Sequence, residues 1–115
     1  MFENDLQNLM GLAYNVASKS PDPSTQNGAV LARRGQYGGL LPITTGYNHF
    51  YEGIEPNVED RGEKLLRMEH AERDVIFNAA RQGVRTTGAI LITPWAACAD
   101  CARAIIGSGI DTVVY

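Results

Sequence analysis

The sequence predicts one α/β domain over residues 1–115, in which helices cover a central sheet. Its length suits a single domain with one modest core. The composition, 44% hydrophobic and 20% charged, is ordinary for a globular chain. Apolar spacing alternates between helical and strand periods in the order α-β-β-α-β-α-β. This order favours a largely parallel sheet after an antiparallel first pair of strands.

The first half of the chain predicts a helix and two antiparallel strands. Apolar residues recur with helical spacing over residues 2–17, and the prolines that follow exclude a longer helix. The helix residues expected in the core are Phe2, Leu6, Leu9 and Val16. The apolar run at 28–32 predicts a buried strand, and a glycine-rich turn leads to a second strand at 40–47. Residues 48–68 predict a long polar loop with at most one helical turn, and loops of this length are usually functional.

The second half predicts two helices, each followed by a strand. Residues 71–82 place their apolar side chains on one helix face, and Gly83 is a suitable C-terminal stop. Residues 89–93 predict a buried strand. A helix opened by the cysteine pair is expected to run to Ile106, and the last strand is expected at 111–115.

Two short motifs supply residues that can hold a metal ion. His70 stands two residues before Glu72, and Cys98 and Cys101 are separated by two residues. One histidine and two cysteines can bind zinc by three bonds, which leaves the open position that catalytic zinc sites keep for water. Glu72 is a natural proton carrier for that water. The order His-x-Glu followed by Cys-x-x-Cys is typical of zinc-dependent nucleobase deaminases.

The motif spacing also predicts where two helices begin. Within a regular helix, residues two apart point roughly 200° apart, so His70 and Glu72 could not then face one metal. They can do so if His70 precedes the first helical residue, which predicts a helix starting near Ala71. Cys98 and Cys101 share a face at the start of a second helix, whose positive end favours thiolates.

Other interpretations of the motif residues remain open. The Cys-x-x-Cys pair could be a redox pair or half of a structural zinc site. A closed zinc site would need a fourth ligand, for which His49 is the candidate. Glu72 could be a solvated helix residue. Four other residues could contact a substrate or have a structural role instead. The structural roles are turn formation for Asn48 and Ser24, an end-of-strand position for Tyr115 and packing for Trp95.

Charge and composition disfavour several classes of protein. The net charge is −3, whereas proteins that bind extended nucleic acids use rows of lysine and arginine, so no polynucleotide partner is expected. No apolar run approaches the roughly 20 residues of a membrane span. The acidic N-terminal residues do not resemble a secretion signal. We expect a cytoplasmic protein with reduced thiols, in the host cytoplasm if the source is a virus.

The chain resembles the deoxycytidylate (dCMP) deaminase family of the cytidine deaminase-like fold. The matching segments are Asp22-Pro23-Ser24-Thr25-Gln26-x-Gly28-Ala29, Gly46-Tyr47-Asn48, His70-Ala71-Glu72, and Cys98-x-x-Cys101 with the residues after it. The resemblance implies a three-layer α-β-α fold with a mixed sheet, whose first two strands are antiparallel and whose later strands are largely parallel. It implies zinc-dependent conversion of dCMP to dUMP, which supplies uracil nucleotides for thymidylate synthesis. Because Pro21 and Asn27 differ from the family pattern, dCTP is a second candidate substrate.

The resemblance also assigns roles to residues of this chain. It implies zinc on His70, Cys98 and Cys101, with Glu72 as the catalytic acid and base. The substrate residues it implies are Asn48 at the sugar, the backbone at Ala29 and Ala71 against the base, Ser24 near the phosphate, and Tyr115 near the base plane. It further implies a homo-oligomer, often a hexamer in the family, with dCTP and dTTP as effectors.

Four positions depart from the family pattern. Ala97 stands where proline usually precedes the first cysteine, and Pro21 stands where a basic residue is common. Asn27 replaces a usual apolar residue, and His49 replaces a usual glycine. Two alternatives therefore stand beside dCMP deamination. One is a deaminase of another cytosine or purine substrate, and the other is a non-catalytic zinc-stabilised binding domain.

Overall fold

The helices and strands follow the predicted order, with one helix added in the long loop. A computed structural model describes residues 2–56 and 59–115. The elements are α1 (Phe2–Ala17), β1 (Gly28–Arg34), β2 (Leu40–Tyr47), α2 (Arg61–Arg67), α3 (Ala71–Gln82), β3 (Ile90–Ile92), α4 (Ala99–Gly107) and β4 (Thr112–Val114). Leu9 and Val16 are buried as expected, whereas the side chain of Phe2 lies outside the described part. Every described helix is too short or too polar to span a lipid bilayer.

The sheet is mixed, with the strand order β2-β1-β3-β4 in the described part of the chain. Strands β1 and β2 are antiparallel, as predicted. Strand β3 also pairs with β1 in the antiparallel sense, and β4 pairs with β3 in parallel. The parallel part of the sheet is therefore the β3–β4 step, where α4 forms the crossover.

Helices cover both faces of this sheet, which gives the three layers that the resemblance implied. Because side chains alternate along a strand, β1 sends Val30 and Ala32 to one face and Ala29 and Leu31 to the other. The first face packs against α1. The second packs against α3 and α4, and this layer carries the predicted metal ligands.

Several boundaries differ from the predictions by one or two residues, and two of these differences have a clear cause. Strand β1 continues to Arg34 because Arg33 and Arg34 pair with the beginning of β2, whereas the glycine-rich turn was expected to begin at Arg33. Helix α2 begins at Arg61, two residues before the expected turn, because the Asp60 side chain accepts a hydrogen bond from the Glu63 amide. This is the contact of a helix N-cap.

Close packing at Gly46 sets the position of α3 on the sheet. A Cβ atom there would lie 2.5 Å from the Val75 nitrogen and 2.9 Å from the Ala71 carbonyl oxygen. Only glycine therefore allows β2 to approach the start of α3 this closely. The other end of α3 is fixed by Gly83, which adopts φ 70° and donates its N–H to the carbonyls of Ala79 and Ala80. This confirms the predicted helix stop.

Candidate metal centre and active site

The backbone break before α3 brings His70 and Glu72 to the same site. Helix α2 ends in extended backbone at Met68, and His70 is extended at φ −75° and ψ 153°. The first helical residue of α3 is Ala71, as the motif spacing predicted. His70 therefore escapes the helical angle that would separate it from Glu72, and both residues line one pocket.

His70, Cys98 and Cys101 form a compact cluster of metal-ligand atoms. Nδ1 of His70 lies 3.4 Å from Sγ of Cys98 and 3.4 Å from Sγ of Cys101. All three ligand atoms lie within 4.8 Å of one another. A tetrahedral zinc ion with bonds of about 2.0–2.3 Å holds its ligands about 3.5 Å apart, so these atoms fit the ion.

The start of α4 presents the two sulfurs, as predicted. Cys98 is the N-cap residue, and its sulfur accepts a hydrogen bond from the Cys101 amide at 3.5 Å. Cys98 is exposed, whereas Cys101 is completely buried. Burial, reinforced by the charge of Glu72, raises the pKa of the Cys101 thiol. A bound cation is what would make a buried thiolate favourable here, because a thiolate is the metal-ligating form.

The proposed fourth ligand of a closed site is engaged elsewhere. Nε2 of His49 lies 2.8 Å from Oδ1 of Asp74, and its Nδ1 lies 3.1 Å from the Phe50 carbonyl oxygen. Within residues 2–56 and 59–115, the cluster of potential metal ligands consists of His70, Cys98 and Cys101. The closed site with His49 is therefore not formed, and His70 and Cys98 border the pocket.

Glu72 is a buried carboxylate beside the metal ligands. Its side chain is 3% exposed, so it is not the solvated helix residue of the alternative interpretation. Oε1 accepts a hydrogen bond from Nδ2 of Asn27 at 3.2 Å. Glu72 lines the same pocket as His70 and Cys98, within reach of a molecule bound there. Its role in proton transfer stays a prediction.

The pocket has a volume of about 330 Å³ and joins the metal cluster to a charged rim. Such a volume lies at the lower end for small-molecule sites. Lys64 and Arg61 of α2 lie at the rim, and Trp95 is 58% exposed on another wall. The exposure of Trp95 does not fit the packing role considered for it.

Three of the predicted substrate residues line this pocket, namely Ser24, Asn48 and Ala71. Asn48 is 6% exposed, and its amide holds the preceding loop: Oδ1 accepts from the Asn27 N–H at 2.8 Å, and Nδ2 donates to the Thr25 carbonyl at 2.8 Å. An amide has a second N–H, so this structural role leaves Asn48 able to bind a ligand. Its contact with the sugar stays a prediction.

The other two predicted substrate residues lie away from the pocket lining. Ala29 is fully buried in the core between the sheet and α3. Tyr115 is 73% exposed and follows β4. The structure brings neither side chain to the pocket, and their contacts with the base stay predictions.

Ser24 belongs to a charged network at the rim. Its hydroxyl donates to Oδ1 of Asp22 at 2.9 Å and accepts from Nζ of Lys64 at 2.8 Å. Lys64 is also 2.7 Å from the Asp22 carboxylate. Although burial raises the pKa of Asp22, the bonds from Lys64 and Ser24 outweigh it and hold this pKa below its usual value. With Arg61 included, the rim carries one net positive charge.

Sequence reasoning missed Asn27, Arg61 and Lys64 as pocket residues. Asn27 departs from the family pattern, so the resemblance assigns it no role. Lys64 lies in the segment predicted as a long loop. A helix prediction for this segment was needed to show that its side chain faces the pocket. The Asp60 and Glu63 spacing was an available signal for the start of this helix.

Known proteins resemble this chain over most of its length. The family described as the cytidine and deoxycytidylate deaminase zinc-binding region matches residues 3–115. The chain belongs to this family. Zinc is therefore its metal, and His70, Cys98 and Cys101 are the residues placed to bind it.

Two bacterial relatives of this deaminase-family chain are longer than it is. It is 32% identical over 104 residues to an uncharacterized deaminase from the luxG 3′ region of Aliivibrio fischeri, matching 89% of this chain and 65% of the relative. It is 30% identical over 114 residues to ComE operon protein 2 of Bacillus subtilis strain 168, matching 95% of this chain and 57% of the relative. The chain thus spans roughly 57% to 65% of these relatives.

Phage deoxycytidylate deaminases also resemble this chain. The deoxycytidylate deaminase of Enterobacteria phage T2 is 46% identical over 46 residues, which cover 40% of this chain and 24% of that protein. The crystal structure of dCMP deaminase from the cyanophage S-TIM5, in complex with dCMP and dUMP, aligns with a TM-score of 0.82 at 20% identity. The alignment covers 98% of this chain and 81% of that one. This likeness establishes the cytidine deaminase-like fold.

Proposed function

We propose that this chain is a hydrolase that deaminates a cytosine nucleotide, converting dCMP to dUMP and ammonia. The observation that carries the proposal is the pocket itself: it is lined by two of the zinc ligands, His70 and Cys98, by the buried carboxylate of Glu72, and by the cationic side chains of Arg61 and Lys64. The zinc ligands and the carboxylate suit addition of water to a ring carbon. The cationic side chains suit the phosphate of a mononucleotide. The likeness to phage dCMP deaminases supports this choice of substrate.

In this mechanism Glu72 moves the protons. Zinc, when bound by His70, Cys98 and Cys101, supplies Lewis acidity that brings the pKa of water toward about 7. Glu72 accepts a proton from the attacking water and delivers it to N3 as a C–O bond forms at C4 of cytosine. Glu72 then carries the second proton to the exocyclic amine. The C4–N bond breaks, ammonia leaves, and the C4 carbonyl of uracil remains.

The rim network would bind the phosphate. Lys64 is already paired with Asp22, so its charge alone would be a weak anion site. Arg61 adds a second positive charge, and the Ser24 hydroxyl is within hydrogen-bond reach of the lysine. A phosphate at this position could accept bonds from both cations while Asp22 keeps Lys64 in place. The same rim would also admit dCTP, whose additional phosphates would extend toward solvent.

Ammonia release measured with deoxycytidine, dCMP, dCTP, cytidine, CMP and guanine tests this function. We expect dCMP to give the highest kcat/KM and deoxycytidine to react poorly. The Lys64→Met and Arg61→Met variants should raise KM for dCMP and leave the slow reaction of deoxycytidine unchanged. Equal rates for dCMP and deoxycytidine would refute the phosphate site. A properly folded, zinc-loaded protein inactive on the whole panel would favour the non-catalytic zinc domain.

The Glu72→Gln variant tests the proton carrier. Glutamine has nearly the same shape but cannot carry a proton as carboxylate does, so zinc binding should survive while kcat falls about 10²- to 10⁴-fold. Zinc content measured on the same sample separates lost chemistry from lost metal. Turnover at the wild-type rate would remove Glu72 from the mechanism.

The resemblance leaves three further expectations as proposals, namely a homo-oligomer, effector binding by dCTP or dTTP, and a place in thymidylate supply. Exposed apolar side chains support an interface between copies, among them Leu66, Phe77 and Ile106. These three side chains do not line the pocket, and contact with a second copy of the chain would cover them.

A further inference from the structure

Asn27 contacts the proposed proton carrier directly, although 45 residues separate them in sequence. Its Nδ2 donates to Oε1 of Glu72 at 3.2 Å, and both residues line the pocket. A buried carboxylate needs hydrogen-bond donors, and a charge-assisted bond fixes a side chain more strongly than a neutral bond. The bond therefore restricts the directions in which the Glu72 carboxylate can point.

The Glu72 carboxylate sets which end of the Asn27 amide faces it, and Thr93 contacts the other end. The completely buried Thr93 hydroxyl lies 3.3 Å from Oδ1 of Asn27 and 2.9 Å from the Gly28 carbonyl oxygen. An ionised carboxylate only accepts hydrogen bonds, so the amide nitrogen of Asn27 is the end that faces Glu72. The Thr93 hydroxyl has one proton, which the Gly28 carbonyl and Oδ1 of Asn27 share. A flip of the amide would place its oxygen against the carboxylate and its nitrogen against the threonine.

Asn48 fixes the backbone of Asn27. The Asn27 N–H donates to Oδ1 of Asn48 at 2.8 Å, and the Asn27 carbonyl accepts from the Asn48 N–H at 3.3 Å. Asn27 is thus held by its main chain on one side and by Thr93 on another. An amide held in this way loses little entropy when it orients its neighbour, which is what a pre-organised site requires.

We infer that Asn27, held in place by Asn48 and Thr93, is a positioning residue that aims the Glu72 carboxylate for proton transfer. This inference rests on the proposed role of Glu72. It assigns a function to a side chain whose type the deaminase motif does not specify. Asn27 acts on the rate of the chemical step rather than on the affinity for substrate, because its partner is the proton carrier.

The Asn27→Asp and Asn27→Val variants test this inference. The aspartate is isosteric and replaces the donor by an acceptor, whereas the valine removes the polar group. We expect either variant to lower kcat for dCMP about ten- to a hundredfold, as loss of one hydrogen bond to a charged group predicts. The KM should change by less than about threefold, and zinc content should be unchanged. The Thr93→Val variant should lower kcat by a smaller factor.

Asn78 offers a matched control outside the pocket. Its Nδ2 donates to the Thr45 carbonyl at 2.9 Å and approaches Oδ2 of Asp74 at 3.4 Å. The Asn78→Asp variant therefore makes the same isosteric change beside another carboxylate. It should lower the melting temperature, and any change in kcat should be far smaller than that of the Asn27 variants. If the Asn27 variants also retain the wild-type kcat while Glu72→Gln is inactive, the positioning role is wrong and the proposed function stands.

A readout independent of turnover comes from thermal stability of the zinc-loaded protein. The melting-temperature loss caused by Asn27→Val should be smaller in a Glu72→Ala background than in the wild type, because the partner is already absent. Additive losses would show that the two side chains do not interact and would overturn the inference. This stability test does not require turnover. If the wild-type protein deaminates none of the assayed compounds, the proposed function is refuted, but the contact between Asn27 and Glu72 can still be tested.

Discussion

Replacing Gly46 by alanine should damage the active site from a position outside the pocket lining. The new methyl group would lie 2.5 Å from the Val75 nitrogen, and ordinary contact begins at 3.4 Å. Helix α3 must therefore move away from β2 by about 0.9 Å, because the three colliding atoms all belong to its backbone. Since α3 begins next to His70 and carries Glu72 in its first turn, the shift would misplace both residues relative to the two cysteines.

The expected loss is about a hundredfold in kcat/KM for dCMP, which is the scale of a 1 Å misplacement of catalytic groups. Overpacking should also destabilise the fold by about 1–3 kcal/mol. Ammonia release, zinc content after dialysis and thermal denaturation measure these effects on one preparation.

The Gly11→Ala variant is the matched control, because a Cβ there meets no atom within 4 Å. In the middle of α1, this alanine should stabilise the helix by about 0.5–1 kcal/mol and leave turnover unchanged. Activity and zinc content of Gly46→Ala equal to those of Gly11→Ala would refute the packing argument.

Two further predictions concern the metal and alkaline pH. The Cys98→Ala variant should lose zinc and thermal stability together, and a chelator should lower the melting temperature of the wild type but not of the variant; equal sensitivity to the chelator would contradict the assigned ligand. Burial, with the charges of Glu69 and Asp74, raises the pKa of Tyr51 from 10.0 to about 12. The folded state thus keeps a proton that the unfolded chain releases near pH 10, so stability present below pH 10 should fall as pH rises toward 12. Chemical denaturation across this range should show a smaller fall for Tyr51→Phe, and an equal fall would contradict the assignment to Tyr51.

Local chemistry made the helix boundaries around the metal site predictable. The need for His70 and Glu72 to face one ion placed the start of α3 at Ala71, and Gly83 marked its end. The Cys-x-x-Cys spacing likewise placed the cysteines at the start of α4. These inferences succeeded because each depends on residues within one or two helical turns.

The sheet order could not be read from the same local signals. Strand β3 inserts beside β1, where Val30 faces Ile92 from 62 positions along the chain, and it does so in the antiparallel sense. The apolar pattern of either strand is equally suited to parallel and antiparallel neighbours, because both faces are covered by helices. The alternation of helices and strands led us to expect a largely parallel sheet, but parallel pairing is found between β3 and β4 alone in the described part of the chain.

The polar side of the pocket was hard to predict for a related reason. Asn27 follows no periodic pattern, and its contact with Glu72 exists only because β1, β2 and α3 are packed together. Asn48 connects these parts: its side chain holds the backbone of residues 25–27, and the next residue, His49, pairs with Asp74 of α3.

This arrangement connects the polar side of the pocket, which contains Asn27 and Asn48, to the side that contains His70 and Glu72. Tyr47 donates its N–H to Oδ2 of Asp74 at 3.1 Å, and the backbones of His49 and Glu69 exchange hydrogen bonds at 3.1 and 2.8 Å. The end of β2 is thus bonded to the segment just before His70 and to the first two turns of α3. Because successive strand residues point to opposite sides, the same end of β2 directs Asn48 toward the loop that carries Asn27. The motif supplies the ligands and the carboxylate, but their alignment with the rest of the pocket depends on this junction between β2 and α3.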